Sequence, residues 1–479
     1  MKKLLLAILL SCISAAFFAQ QNNTLFLMHE LPQSNIVNPA VPIDCKLFVG
    51  FPLVGSTHVN AYSSGFALSD ILVSSTDDSL KVDLDGALSK MDVREMIATE
   101  IHLSLLSVGY MYKDHYFTLG INEKVNTYST LNRNAVLLVN GGNTPFEGQR
   151  TQMDGTRVNA IHYREYALGW AREWSESFSL GVRIKFLFGK SNIYTKPAQV
   201  SLYTDAISFD TYVAGSMEGN MSLPVDVNRD ADGRLDNFVK RDEVALGDYL
   251  MNKENKGYGV DLGFIYQLND KTTLSGSLLD LGYVNWKSDA YALSSAGSMD
   301  ITGEAVEEGL GNLDAVIDSL AEVLNPEVAD QAYSSPLVPT IYLGISRQMN
   351  SWLQTGAVLH TEFYRNSLHS SFSLTGNGRI ASHVFGSLSY TIQNGQFNNV
   401  GAGIGAQWGF IHIHALSDNI PAFFNLMDAR NVNLRVGISM LLGCGGEKKS
   451  YGNDKGIRAL PCVGDPYSAI KSRKKRRRR

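Results

Sequence analysis

The densest run of chemically able residues is Asp226-Val227-Asn228-Arg229-Asp230-Ala231-Asp232-Gly233-Arg234-Leu235-Asp236. Asn228, Asp230 and Asp232 alternate and can converge on one hard cation. Gly233 permits a sharp turn, and Asp236 can close the ring, an oxygen set that suits structural calcium. The bidentate Glu that completes such loops is missing, because Val239 stands in its place, so a solvated acidic turn fits equally well. A calcium ion here would stiffen a loop rather than catalyse. His412-Ile413-His414 is a second candidate. Two imidazoles at i and i+2 share one strand face and could hold a metal, but no third ligand accompanies them, and hydrogen bonding on a polar face is the plainer role. Arg183, Lys185, Asp261, Glu362 and Arg435 are charges set among alternating apolar neighbours. No G-x-S-x-G, H-E-x-x-H, Cys-x-x-Cys or phosphate-cradling glycine loop occurs, so an enzyme reading has no motif to stand on.

These charges need elements that keep them apart from the apolar residues beside them. Over 177–190, Phe178, Leu180, Val182, Ile184, Phe186 and Phe188 alternate with Ser179, Gly181, Arg183 and Lys185. Successive strand side chains face opposite ways, so this strand has one apolar and one charged wall. The same pattern sets Tyr258, Val260, Leu262, Phe264 and Tyr266 against Asp261, and Val432, Leu434, Val436, Ile438 and Met440 against Asn433, Arg435, Gly437 and Ser439. Ile411 and Ile413 likewise place His412 and His414 on the polar side. Strands of this kind predict a membrane-spanning β-barrel, with the polar faces enclosing a lumen. Lumen charges then form an internally paired network or line a channel.

Four hairpins share one design: 108–120, 168–181, 262–276 and 343–356, each with a turn of a few residues. Further strands read near 45–54, 367–376, 380–392, 398–406, 409–417 and 432–443. The total is about 14 antiparallel strands, an even number with both ends on one side, as a single-chain barrel requires. Segments 129–158, 191–256 and 286–336 are long and read as extracellular loops, which puts the short turns in the periplasm. Within the last of these, Val306, Leu310, Leu313, Ile317, Leu320 and Leu324 mark an amphipathic loop helix over 302–324. Trp170, Trp174, Trp352 and Trp408 sit near short turns and Trp286 at an opposite strand end, so all five are expected in interfacial girdles.

The ends divide the chain. Residues 1–19 carry Lys2 and Lys3, an apolar stretch and small residues, which reads as a signal peptide. Residues 20–44 form a periplasmic or plug-like segment, 45–443 the barrel and 444–479 a periplasmic basic tail. No later stretch is apolar enough for a spanning helix. The net charge of −5 conceals an acidic body: setting aside the eight Lys and Arg from Lys471 to Arg479 leaves −13. The body has no basic patch for nucleic acid, and the tail is better placed to meet anionic lipid or wall polymer, or to remain solvated. Cys45 precedes the first strand and Cys444 follows the last, with Cys462 beyond. In an oxidising compartment a bridge from Cys45 to Cys444 or Cys462 would staple the seam, against free thiols or a local Cys444–Cys462 link.

Two sets of residues resemble a known group. Asn23 to Asn35 (NTLFLMHELPQSN), followed by Asn38-Pro39-Ala40, and then Leu416-Ser417-Asp418-Asn419 with Val432 to Ile438, resemble an uncharacterised outer-membrane family of Bacteroidota. More distantly, the Asn-Pro-Ala entry and the strand count are similar to FadL-like fatty-acid transporters and to barrels of the type IX secretion and gliding apparatus. The resemblance implies a 14-stranded barrel with an N-terminal segment near or inside the lumen, and supplies no catalytic residues. The expected function is non-enzymatic uptake of a hydrophobic or small ligand across the outer membrane, whose lipid is the first partner. The competing expectation is a scaffold in a cell-surface secretion or gliding complex, with partner proteins on the long loops.

Overall fold

The computed structural model describes residues 22–444 except 44, 75–79, 209, 231–233, 242–245, 302–326, 365–366, 382 and 394–395. The signal peptide of 1–19, the loop helix of 302–324, Asp232, Cys462 and the basic tail from 445 onward lie outside the described residues.

Fourteen wall strands form one ring among the described residues. They are β1 (Leu47–Gly50 continued by Thr57–Ser63), β2 (Arg94–Tyr112), β3 (His115–Asn132), β4 (Arg157–Ser175), β5 (Phe178–Thr195), β6 (Asn255–Asn269) and β7 (Thr272–Trp286). The ring continues with β8 (Thr340–Gln348), β9 (Leu353–Tyr364), β10 (Ser367–Ala381), β11 (Val384–Gln393), β12 (Gln396–Trp408), β13 (Ile411–Ser417) and β14 (Asn431–Leu442). Each strand pairs antiparallel with the next in sequence. β1 then closes the ring by pairing with β14 on one side and β2 on the other.

Alternation decides which way each side chain points. Leu180, Ile184 and Phe186 of β5 are exposed on the outer face, as are Tyr258, Leu262 and Tyr266 of β6 and Leu434, Val436 and Ile438 of β14. Arg183, Lys185, Asp261 and Arg435, one residue out of phase, are buried on the inner face. An apolar outer band around a closed ring is a transmembrane surface, because lipid satisfies no backbone hydrogen bond and tolerates only closed sheets or helices. No helix among the described residues is long and apolar enough to cross a membrane.

The short turns use local side-chain chemistry. Asn269 Oδ1 accepts from Lys271 N and Thr272 N at 3.1 Å each, closing β6–β7. Asn350 Oδ1 accepts from Trp352 N at 3.0 Å and Leu353 N at 2.9 Å, closing β8–β9. Such Asx turns are why Asn concentrates there. In the β2–β3 turn Lys113 takes the left-handed φ of 57° that a two-residue hairpin turn demands.

Three expectations are corrected. The first strand is not continuous over 45–54. Residues 51–56 leave the sheet as a loop with Phe51, Leu53 and Val54 exposed, while Leu53 N donates to Ser104 O at 2.9 Å and Ile438 N to Val54 O at 2.7 Å, so pairing resumes beyond it. The long segments are not simply loops. Gln199–Thr204, Thr211–Ser222, Ala290–Ile301, Glu327–Asp330 and the short Arg150–Gln152 extend the wall sheet above β5, and Val225–Arg229 with Leu235–Lys240 forms a separate hairpin. Trp286 is not a girdle residue. It is fully buried with Tyr163, Leu187, Val284 and Leu337, and its Nε1 donates to Ser335 Oγ at 2.9 Å. Trp286 shares the phase of Val284, opposite to the exposed Leu281 and Tyr283, so the ring turns inward, where it finds a dry pocket and a partner. Trp174, Trp352 and Trp408 are exposed at short-turn ends, and the partly buried Trp170 donates from Nε1 to His115 Nδ1 at 3.1 Å.

A disulfide links Cys45, ahead of β1, to Cys444, after β14. It ties the closure seam across a sequence separation of 399. Cys45→Ser should therefore lower the urea unfolding midpoint of the refolded barrel, with a loss of about 2–4 kcal/mol. An unchanged midpoint would show that the seam holds on backbone pairing alone.

Candidate functional site

Residues 22–41 lie inside the ring, because their partners are distributed around it. Asn23 Nδ2 donates to Ser371 Oγ of β10 at 2.8 Å, and Asn377 Nδ2 of the same strand donates to Leu27 O at 3.0 Å. Thr24 N donates to Asp418 Oδ1, just past β13, at 2.7 Å. Ser277 Oγ of β7 donates to Val37 O at 2.6 Å, and Asn38 Nδ2 to Phe264 O of β6 at 3.3 Å. The apolar face of the segment, with Leu25, Phe26, Leu27, Met28 and Leu31, packs on Leu279, Tyr342, Val358, Phe385 and Leu416 of the wall. Its apolar side chains thus find the dry patch that an otherwise polar lumen provides. Close approach requires glycine on the wall. A Cβ on Gly181 would run into the Pro39 and Ala40 backbone, and one on Gly263 into the Asn38 side chain and Pro39.

Four of the charged residues that the alternation singled out are assembled by the ring against this segment. Arg183 donates from Nη1 to Asp261 Oδ2 at 3.0 Å and to Ile36 O at 3.1 Å, and from Nη2 to Asn35 O at 2.6 Å and Asn35 Oδ1 at 2.8 Å. Lys185 Nζ lies 2.7 Å from Asp261 Oδ1 and 2.7 Å from Asp280 Oδ1. On the far side of the ring, Arg435 donates from Nη2 to Asn22 Oδ1 at 2.8 Å and from Nη1 to Ser56 Oγ at 2.9 Å. Glu362 stands apart, buried on β9 with His360 Nε2 at 3.6 Å. His412 and His414 are both buried on the lumen face with rings 6.0 Å apart, and His412 Nδ1 bonds Ser439 Oγ at 3.2 Å.

Three charged members of the network were not singled out from the sequence. Lys124 Nζ sits 3.0 Å from Glu165 Oε2, and Asp280 bridges Lys185 and Lys124. Lys124 and Glu165 obey the same alternation as Arg183, so the signal was present. Asp280 gave none: it lies in the apolar run Leu278-Leu279-Asp280-Leu281, where the β6–β7 register shifts. Its φ of 57° belongs to that bulge, which aims the carboxylate into the lumen.

The oxygen-rich segment sits well away from this network, at the turn of the Val225–Arg229/Leu235–Lys240 hairpin. Asn228 Nδ2 donates to Asn237 Oδ1 at 2.8 Å, Asp230 Oδ1 accepts from Arg234 N at 2.8 Å, and Asp236 lies on the second strand. Neighbouring Asp226 bonds Arg241 Nε at 2.7 Å. Bonds to Asp226 and to Asp289, at 2.8 Å, hold the Arg241 guanidinium above its ordinary range. Among the described residues no group of three or more His, Cys, Asp or Glu is placed to hold a metal ion.

Between the inner segment and the β2–β5 wall lies a partly open cavity. Asn22, Gln33 and Asn35 of the segment form one side, and Lys124, Asn159 and Glu165 part of the other. Arg183 is the hinge between the segment and the buried carboxylate. Arg183→Ala would strand Asp261 and should cost about 3–5 kcal/mol, while D261N in the same chain should recover part of that loss. Urea unfolding of the purified barrel measures both, and a silent Arg183→Ala would show that Lys185 alone neutralises Asp261.

A family model described as "Family of unknown function (DUF5723)" matches residues 39–418. No curated protein sequence matches the chain. Solved structures similar to it include the P. putida toluene transporter TodX, with 10% identity, TM-score 0.38, and 85% of this chain and 92% of that one covered. The Ralstonia pickettii toluene transporter TbuX matches with 10% identity, TM-score 0.38, and 86% and 92% covered. A Pseudomonas aeruginosa FadL homologue matches with 11% identity, TM-score 0.35, and 90% and 100% covered. With 39–418 running from before β1 to the end of β13, every wall strand but β14, the chain belongs to the DUF5723 family.

Proposed function

We propose that this protein is a non-enzymatic outer-membrane barrel that passes a small ligand through its lumen, with residues 22–41 as the plug. The observation that carries the reading is the cavity beside the segment, one wall of which is the segment itself. A plug of this kind can narrow a path without sealing it, and moving it would widen the path. Its anchors are side-chain hydrogen bonds and two apolar patches, with no strand pairing to the wall among the described residues, so displacement would break no sheet. The secretory leader expected in 1–19 and the apolar outer band together favour the outer membrane as its site.

A scaffold role has one observation in its favour. The structured extension above β5 and the nearby loops carry exposed apolar tips, with Ile207 90% and Leu246 71% exposed, which suit contact with a surface protein. The lumen cavity has no use in that role, and for this reason passage is preferred.

Flux separates the two. The full chain in liposomes should admit small solutes, and deletion of 22–41 behind an intact leader should raise the rate. Liposomes tight to all solutes with both proteins would sink the passage reading.

A further inference from the structure

Resting on the passage reading, we infer that the lumen cavity takes a neutral, polyhydroxylated small molecule of the sugar or polyol class, bound at a Tyr128–Asn159–Tyr194 row on the wall. The row follows from register. Asn159 of β4 pairs directly with Tyr128 of β3 on one side and Tyr194 of β5 on the other, and all three line the cavity. An amide thus stands between two phenol rings at one height of the lumen. Ring faces suit the C–H face of a pyranose, and the amide suits its hydroxyls.

Two amide oxygens point to the same ligand class. Asn159 Oδ1 and, across the cavity on the inner segment, Gln33 Oε1 are buried with no hydrogen-bond partner among the described residues. Unbonded buried acceptors are costly and call for a donor, which a hydroxyl provides and a carboxylate ligand does not.

Charge argues against the other classes. The four Lys and Arg that line the cavity are already occupied: Arg183 by Asp261 and two carbonyls, Lys185 by Asp261 and Asp280, Lys124 by Glu165, Arg435 by Asn22 and Ser56. An anionic ligand would have to displace an internal partner. Asp261, Asp280 and Glu165 are equally engaged by those cations. A purely apolar ligand would strip water from Lys124, Glu100 and Asp280, whose side chains keep 12%, 12% and 24% of their exposure, and return nothing for it.

The test is a size-matched trio in a liposome-swelling assay of the full mature chain: glucose, gluconate and glucosamine. Glucose should enter fastest. Asn159→Leu should slow glucose on the order of tenfold, the cost of an unmet hydroxyl, and leave gluconate unchanged. Heat-modifiable migration in detergent verifies that the variant is folded, and Gln33→Met on the opposite side serves if it is not. Gluconate or glucosamine outpacing glucose would overturn the ligand class while leaving passage intact, and so would a saturable fluorescent fatty acid that blocks glucose entry. No flux of any solute, even after deletion of 22–41, would overturn the passage reading and this inference with it.

Discussion

Because β1 pairs with β14 on one side and β2 on the other, no wall strand carries an open edge within the ring. In hydrocarbon an unpaired N–H or C=O costs several kcal/mol, so a sheet that failed to close would not reside in lipid. Closure fixes the inside and outside of every strand at once. The seam is also where the wall is least regular, since β1 breaks at residues 51–56 and the Ser104/Leu106 bulge of β2 lies opposite. The Cys45–Cys444 bridge sits at the end of this weakest joint.

A closed ring with polar inner faces leaves charges that must find partners or water. Here they find each other and the N-terminal segment. Arg183 contacts both a carboxylate and the segment's carbonyls, so packing of the segment and neutralisation of Asp261 depend on the same side chain. Buried ion pairs of this kind are weak evidence for net stability, since desolvation offsets their attraction, but they specify which geometry is tolerated. The lumen is therefore divided. The side lined by β7 to β13 is filled by the apolar face of the segment, and the β2–β5 side keeps a polar cavity.

Legibility of the sequence followed the period of the signal. Alternation over 178–188 or 432–440 is strict, and the strands stand within a few residues of where it placed them. The four hairpin turns were equally plain, because Asn, Asp and Ser do a local job there. The extension strands at 199–204, 211–222 and 290–301 were read as loops because both their faces are mixed, and nothing local separates such a strand from a polar loop. Trp286 shows the opposite failure: a strand-end Trp looks alike whether it faces lipid or an apolar cluster inside the ring. Nothing in the strand pattern gives the reason for Gly181 and Gly263, which make room for Asn38, Pro39 and Ala40.

By itself the sequence determined the wall strands, the outer band, the number of wall elements and the side on which Arg183, Lys185, Asp261 and Arg435 lie. Period-two patterning and turn chemistry are properties of neighbours along the chain, so those features are written locally. Only the tertiary structure decided that Arg183, Asp261, Lys185, Asp280, Glu165 and Lys124 form one network, that Cys45 meets Cys444, and that residues 22–41 sit inside. These are contacts between residues up to 413 apart, set by ring closure and by a bulge whose register no local pattern announces.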